Sequence, residues 1–174
     1  INSKNKGFTL IELLVVIAII GLLASIVLVS LGSTRNKAKA ARVISDLTQI
    51  GKAINLYWIY AENDPPHDHT WNDDCEKAAM GSGNFSPKPT GWYGPYITWP
   101  KTPWDTEYHW ELWGANHSIS VRDVPQNVAQ LIDSQIDDGN LGTGGVTWSG
   151  ERLEYWKDFR GFPANDIHFT SCIP

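Results

Sequence analysis

Residues 8–31 read FTLIELLVVIAIIGLLASIVLVSL, and the reading of this stretch decides that of the whole chain. Glu12 is its sole charge, and after Glu12 only Gly21, Ser25 and Ser30 interrupt a run of Ile, Leu, Val and Ala. Coiled as an α-helix the run is roughly 36 Å long, enough to cross a hydrocarbon core of about 30 Å. Lys4 and Lys6 precede it, so the positive-inside bias holds the N-terminus in the cytoplasm and places everything after the run outside. No small-residue A-x-A site follows, so the run reads as a retained anchor and not a removed signal. A plain anchor has little use for Glu12. An unpaired carboxylate one turn inside a membrane helix costs a few kcal/mol on insertion scales, so it calls for a partner or a task.

The helical pattern continues beyond the apolar run. Val43, Leu47, Ile50, Ile54, Tyr57 and Ala61 fall at steps of three and four, one stripe of a 3.6-residue period. Arg42, Asp46, Gln49 and Lys52 lie between them and read as the wet side. No proline interrupts before Pro65 and Pro66, and Asn63-Asp64-Pro65 is a stop. The pattern predicts one helix from about Phe8 to about Glu62, roughly 80 Å long. Its first half must be buried in lipid or among other helices, and its second half must pack on the chain's own head.

Charge divides the chain in the same places. Residues 1–31 carry Lys4, Lys6 and Glu12, a net +1. Residues 32–63 carry Arg35, Lys37, Lys39, Arg42 and Lys52 against Asp46 and Glu62, a net +3. Residues 64–174 hold seven basic and sixteen acidic side chains, a net −9. The averages, a net charge of −5 and a mean hydropathy of −0.26, are the mean of three unlike regions. They exclude a strongly basic nucleic-acid binder, a disordered polar tail and a multi-span transporter. Two cysteines are too few for a disulfide scaffold or a zinc ribbon.

The head reads as mixed. Residues 64–105 are loop-rich, with Gly81-Ser82-Gly83-Asn84 and prolines at 87, 89, 95, 100 and 103. Tyr108 to Trp113 alternates as a strand, Gly114-Ala115-Asn116 turns, and Ser118 to Arg122 forms a second strand. Asp123 and Pro125 open a helix whose buried side is Val128, Leu131, Ile132 and Ile136, and Gly139 ends it. Val146 to Trp148, a Ser149-Gly150 turn and Leu153 to Trp156 read as a hairpin, with a last strand at Ile167-His168-Phe169.

Lys6-Gly7-Phe8-Thr9-Leu10-Ile11-Glu12-Leu13-Leu14 resembles the class III signal of the type IV pilin family, which includes the pseudopilins of type II secretion systems. The match spans residues 4–31: a basic leader ending in glycine, a phenylalanine, a glutamate four residues later, and an apolar run of spanning length. The resemblance implies a leader of residues 1–7, a filament-core half-helix at 8–31, an amphipathic half at 32–63 and a head at 64–174. It implies an α+β pilin fold, a long N-terminal helix packed on an antiparallel sheet. It also implies that a prepilin peptidase cuts after Gly7 and that the new amino group of Phe8 is methylated. In such proteins the Phe8 amine and Glu12 of neighbouring subunits pair as each subunit docks. A weaker resemblance, to major pseudopilins, lies in Gly94-Pro95-Tyr96-Ile97, Trp99 to Asp105 and Tyr108. That family reads Gly-Asn-Pro where this chain has Asp105-Thr106-Glu107, which puts the local turn in question.

Three readings follow from that resemblance: a structural subunit of a type IV pilus-like filament, a type II secretion pseudopilin, or a minor pilin with a ligand-binding, tryptophan-rich head. The implied partners are further copies of the chain, the peptidase, an inner-membrane assembly platform and, before assembly, lipid; no nucleic acid is implied. The implied location is the bacterial inner membrane with the head outside, then a periplasmic or surface filament.

Cys75 and Cys172 lie on the outer side, where a disulfide persists and would tie the C-terminus to the loop after the helix, as in many pilins; two unrelated thiols are the alternative. Asp133, Asp137, Asp138, Asn140 and Thr143 gather where a helix ends in a glycine-rich turn. Such oxygen ligands suit Ca²⁺, which major pseudopilins hold in their C-terminal loops; a solvated turn is the alternative. No cofactor is otherwise expected. His67, His69, Asp73, Asp74 and Cys75 are a weaker zinc candidate. No residues form a catalytic constellation, so the chain is not expected to be an enzyme. The nine tryptophans read as core or as an exposed aromatic platform.

Overall fold

The computed structural model describes residues 7–61, 78–82, 85–86, 88, 90–113, 116–156 and 171–172. They form α1 (Leu10–Ala61), a short π-helical turn (Ala78–Ser82), β1 (Phe85–Ser86), β2 (Tyr108–Trp113), β3 (Asn116–Val121), α2 (Gln126–Ile136), β4 (Val146–Ser149), β5 (Arg152–Tyr155) and β6 (Ser171–Cys172). The chain divides into two compact units, residues 1–38 and 39–174.

In the first unit α1 starts from a capping box. The Thr9 amide and hydroxyl both donate to Glu12 Oε2, at 2.8 and 2.7 Å, and the Glu12 amide donates back to the Thr9 hydroxyl at 3.3 Å. Reciprocal bonds of this kind satisfy the free amides of a first turn, and a good N-cap is worth about 1 kcal/mol. From Phe8 to Val27 every side chain is exposed, Phe8 to 85%. Apolar on all sides, this stretch of helix is covered by none of the described residues of its unit. It is long and apolar enough to cross a membrane.

In the second unit the expected stripe becomes the floor of the core. Val43, Leu47, Ile50, Ile54, Tyr57 and Ala61 are all buried, and Ala40 and Ala53 join them. Arg42, Gln49 and Lys52 face solvent as expected. Asp46 does not, and this corrects the reading of the wet side. It is 9% exposed, because the Tyr108 hydroxyl reaches it from the sheet and donates at 2.8 Å. Burial, together with the Asp46 carboxylate, drives the Tyr108 phenol far above its ordinary pKa, so it stays a donor.

Four strands form one antiparallel sheet in the order β2-β3-β5-β4. Trp110 stands opposite Ile119, Tyr108 opposite Val121, Val121 opposite Leu153, and Val146 opposite Tyr155. With side chains alternating along each strand, these residues share one face and are buried with the α1 stripe. His117 also falls on that face and stacks on Trp110, ring centroids 5.0 Å apart. The opposite face is polar and crowded. Ser120 donates to Glu111 and Ser118 to Glu154, each at 2.5 Å, while Arg152 pairs with both glutamates.

The β4–β5 hairpin turns on Gly150 and Glu151, both with positive φ, the geometry of a type I′ turn. α2 begins one residue after Pro125, with Val128 and Ile132 buried and Leu131 and Ile136 packed against the core. Asp123 does not cap it: its φ is 59° and it lies ahead of the first turn. The expected strand at Ile167–Phe169 lies outside the described residues. A two-residue strand, β6, instead pairs with β1, Phe85 opposite Cys172.

Candidate functional site

Two places in the molecule carry the residues singled out from the sequence. The first is the N-terminal end of α1. Gly7 has open space around it, and Phe8 is exposed on the same stretch, so the Gly7–Phe8 bond is not shielded by described parts of the chain. Glu12 sits one turn further on, and its carboxylate is held by Thr9. That local bond, which the sequence reading had not included, gives Glu12 a partner in the single chain. It keeps the carboxylate solvated by peptide and hydroxyl.

The second place is the turn that leaves α2. Asp137 closes the helix with its amide donating to the Asp133 carbonyl at 2.7 Å. Its side chain folds over the turn and accepts from the Gly145 and Val146 amides at 2.5 and 3.3 Å. Asp138 accepts from the Asn140 amide at 2.7 Å and from the Thr143 hydroxyl at 2.9 Å. Asn140 Oδ1 accepts from the Gly142 amide at 3.2 Å. Gly144, φ +83°, makes this closure workable, because a Cβ there would stand 1.9 Å from Asp137 Oδ2. Of the glycines in this turn, Gly144 is therefore the space into which Asp137 folds.

Asp133 is the residue this network leaves out. It is completely buried, and among the described residues neither carboxylate oxygen has a hydrogen-bond partner. One oxygen from each of Asp133, Asp137 and Asp138 lies within 4.8 Å of the others. Burial, then the charges of Asp138 and Asp137, push the Asp133 carboxyl above its ordinary range. The Gly139 amide pulls it part of the way back without closing a hydrogen bond; a buried carboxylate so poorly answered is costly, and hard cations such as Ca²⁺ take oxygen ligands of this kind. The residues present thus fit a calcium ion: three carboxylates, one of them orphaned, with glycine providing the room.

Cys75 and the His67–Asp74 stretch lie outside the described residues; Cys172 is in β6. The tryptophans mostly serve the core. Trp110 is fully buried, Trp92, Trp99, Trp104 and Trp148 pack against it, and Trp58 is 38% exposed. The pseudopilin-like segment is built around Thr102. Its hydroxyl accepts from the Trp104 and Thr106 amides, and its own amide donates to the Thr106 carbonyl at 2.9 Å. Asp105, φ 63°, takes the left-handed position of that turn. The turn left in question by the missing Gly-Asn-Pro is thus closed by a threonine-centred set of bonds.

With this geometry in view, comparisons with known proteins agree on a family. The prokaryotic N-terminal methylation motif matches residues 2–28, and the type II secretion system protein G model matches residues 30–128, more than half of the chain. The chain is 27% identical to the type II secretion system core protein G of Klebsiella pneumoniae over 156 residues, 88% of this chain and 96% of that protein. To the protein of the same name from Aeromonas hydrophila it is 30% identical over 142 residues, 80% of this chain and 96% of that protein. The type IV major fimbrial protein FimA of Dichelobacter nodosus is 43% identical, but over 53 residues, 30% of this chain and 34% of that protein. No solved structure matches the chain. An N-terminal methylation motif on a capped apolar helix, followed by a match from residue 30 to residue 128 that covers the amphipathic half-helix and much of the head, places the chain in the type II secretion system protein G family, the pseudopilin relatives of type IV pilins.

Proposed function

We propose that this chain is a pseudopilin, the structural subunit of the short filament of a type II secretion system. The observation that carries the reading is the protein G match over the amphipathic half-helix and head, residues 30–128, where the likeness to a fimbrial protein is confined to a short segment. Of the readings drawn from the sequence, a pilus-like filament subunit is the broader class. The secretion filament, there an alternative, is its better supported form. Partially or fully buried tryptophans speak against an aromatic platform on the head.

The proposed course begins with the chain held in the inner membrane by the apolar half of α1. A prepilin peptidase cleaves after Gly7, and the new amine of Phe8 is methylated. An assembly platform then moves the subunit into a helical filament, where apolar half-helices bury one another. Glu12 exchanges its Thr9 bonds for the positive amine of a neighbouring Phe8, a pairing that gains strength in a medium without water. The work is structural, with no catalytic step by this chain. At the head, Asp133, Asp137 and Asp138 would hold calcium, with Asn140 and Thr143 shaping the turn. The ion would supply the positive charge that Asp133 lacks.

Deleting the gene in its host and following exported enzymes and surface filaments separates the readings. Loss of secretion without loss of surface pili supports the proposal, and normal secretion overturns it in favour of a pilus. In the same host, Glu12→Gln is expected to abolish filament assembly, scored by electron microscopy, while the chain still accumulates in the membrane. Normal filaments would remove Glu12 from the assembly step.

A further inference from the structure

Five cations follow the apolar run on α1, and of the four nearest to it two are already engaged with the head. Lys39 lies over the Trp104 ring, 5.1 Å from its centroid. Arg42 donates to the Lys101 carbonyl at 2.8 Å and lies 3.7 Å from Asp46. Arg35 and Lys37 differ. Both are exposed, and neither has a hydrogen-bond or ion-pair partner among the described residues. No acidic residue lies between Glu12 and Asp46, so no carboxylate along that part of α1 competes for them.

The helix rise fixes where these two cations stand. At about 1.5 Å per residue, Arg35 lies about 6 Å beyond Leu31 along the axis and Lys37 about 9 Å. A bilayer carries roughly 5–7 Å of polar headgroup on each side of its hydrocarbon core. With the run from Leu10 to Leu31 filling the core, Arg35 falls within that layer and Lys37 about 2 Å beyond its outer edge, a gap its flexible stem spans. At about 100° per residue they also project about 200° apart around the helix. A protein partner approaches from one side, whereas a headgroup layer surrounds the helix and meets both. The Arg35 guanidinium matches a phosphate as a two-pronged donor, and Lys37 adds a point charge on a stem that bends along the apolar boundary.

We propose that Arg35 and Lys37 form a collar that binds anionic phospholipid headgroups and holds the unassembled subunit at a set depth. This requires that the apolar run lie in a bilayer and does not depend on which filament the subunit enters. The test uses the full chain in mixed phosphatidylglycerol and phosphatidylcholine vesicles. Electron spin resonance of spin-labelled lipids then gives the preference for phosphatidylglycerol over phosphatidylcholine. Each cation near an anionic surface is expected to strengthen that preference by about fivefold at low salt. The Arg35→Gln, Lys37→Gln double variant should lose most of it, and the Arg35→Lys, Lys37→Arg variant should keep it. Lys4 and Lys6 are present in every protein compared, so their contribution cancels. The proposal is overturned if the glutamine variant retains the parent's preference. It is also overturned if that preference disappears as the protein-to-lipid ratio rises, which would assign the two cations to the acidic head of a second copy.

Discussion

The two halves of α1 share a backbone and almost nothing else. From Phe8 to Val27 each side chain is exposed and all but a few are apolar. From Val43 to Ala61 one stripe is buried without remainder, while Arg42, Gln49 and Lys52 stay in water. Helices in folded proteins draw most of their stability from the packing of one face, and the second half follows that rule. The first half cannot, since none of the described residues of its unit covers it. Its continuity rests on the Thr9–Glu12 box, on its leucines and alanines and on whatever apolar medium surrounds it. The same secondary structure thus serves one solvent at one end and another at the other.

The sharpest way to break this comparison is to shorten the same side chain in both halves. Leu47→Ala should lower the stability of the head by about 2–5 kcal/mol, because it leaves a cavity in a packed core. Leu22→Ala should leave it unchanged within about 0.5 kcal/mol, since Leu22 is 66% exposed. Thermal unfolding of the full chain in detergent measures both. Equal effects would mean that the two halves unfold together.

A second contrast concerns the ion proposed for the head alone. At a concentration a hundredfold above its dissociation constant, calcium should add about 2.7 kcal/mol to the head's stability. Asp133→Asn should remove that gain while leaving the helicity of the rod unaltered by circular dichroism. A melting temperature that does not move between calcium and a chelator would show that the acidic turn holds no ion.

Smaller effects test local geometry in the sheet. Glu151 occupies a left-handed position, φ 69°, that a glycine takes without strain. Glu151→Gly should therefore stabilise the head by about 1 kcal/mol, and a loss of stability would mean that its side chain has a task. Glu154 has its pKa raised, chiefly by burial, with Ser118 and Arg152 pulling it down and Glu111 pushing it up. A folded-state value above the unfolded one gives stability that is fully present below the ordinary glutamate range and is lost as pH rises through the folded value. Glu154→Gln should flatten that decline, as melts across the pH range would record; an unchanged pH profile would take the titration away from Glu154.

Much of this was legible in residues alone. Periods of 3.6 and 2 located α1, its buried stripe, β2, α2 and the β4–β5 hairpin, because such patterns reflect which side of an element meets water. The N-terminal methylation motif was legible too, as a local string around Gly7 and Glu12. Less so were the groups whose meaning depends on a distant partner. Asp46 fits the wet side by spacing and is buried by a hydroxyl 62 residues away. The five residues of the acidic turn were visible as a cluster, but not the roles within it. Asp137 is satisfied by the Gly145 and Val146 amides, and Asp133 is orphaned beneath.

Sequence by itself therefore determined that this chain has an apolar rod, an amphipathic continuation and a mixed head. Hydrophobic periodicity and charge segregation are properties of neighbours along the chain. Only the tertiary structure decided which polar groups are answered and which are not. A hydrogen bond depends on a donor and an acceptor meeting within a few tenths of an ångström, and the donors to Asp46, Glu111 and Asp137 stand 62, 9 and 8 residues away along the chain, brought near only by the fold.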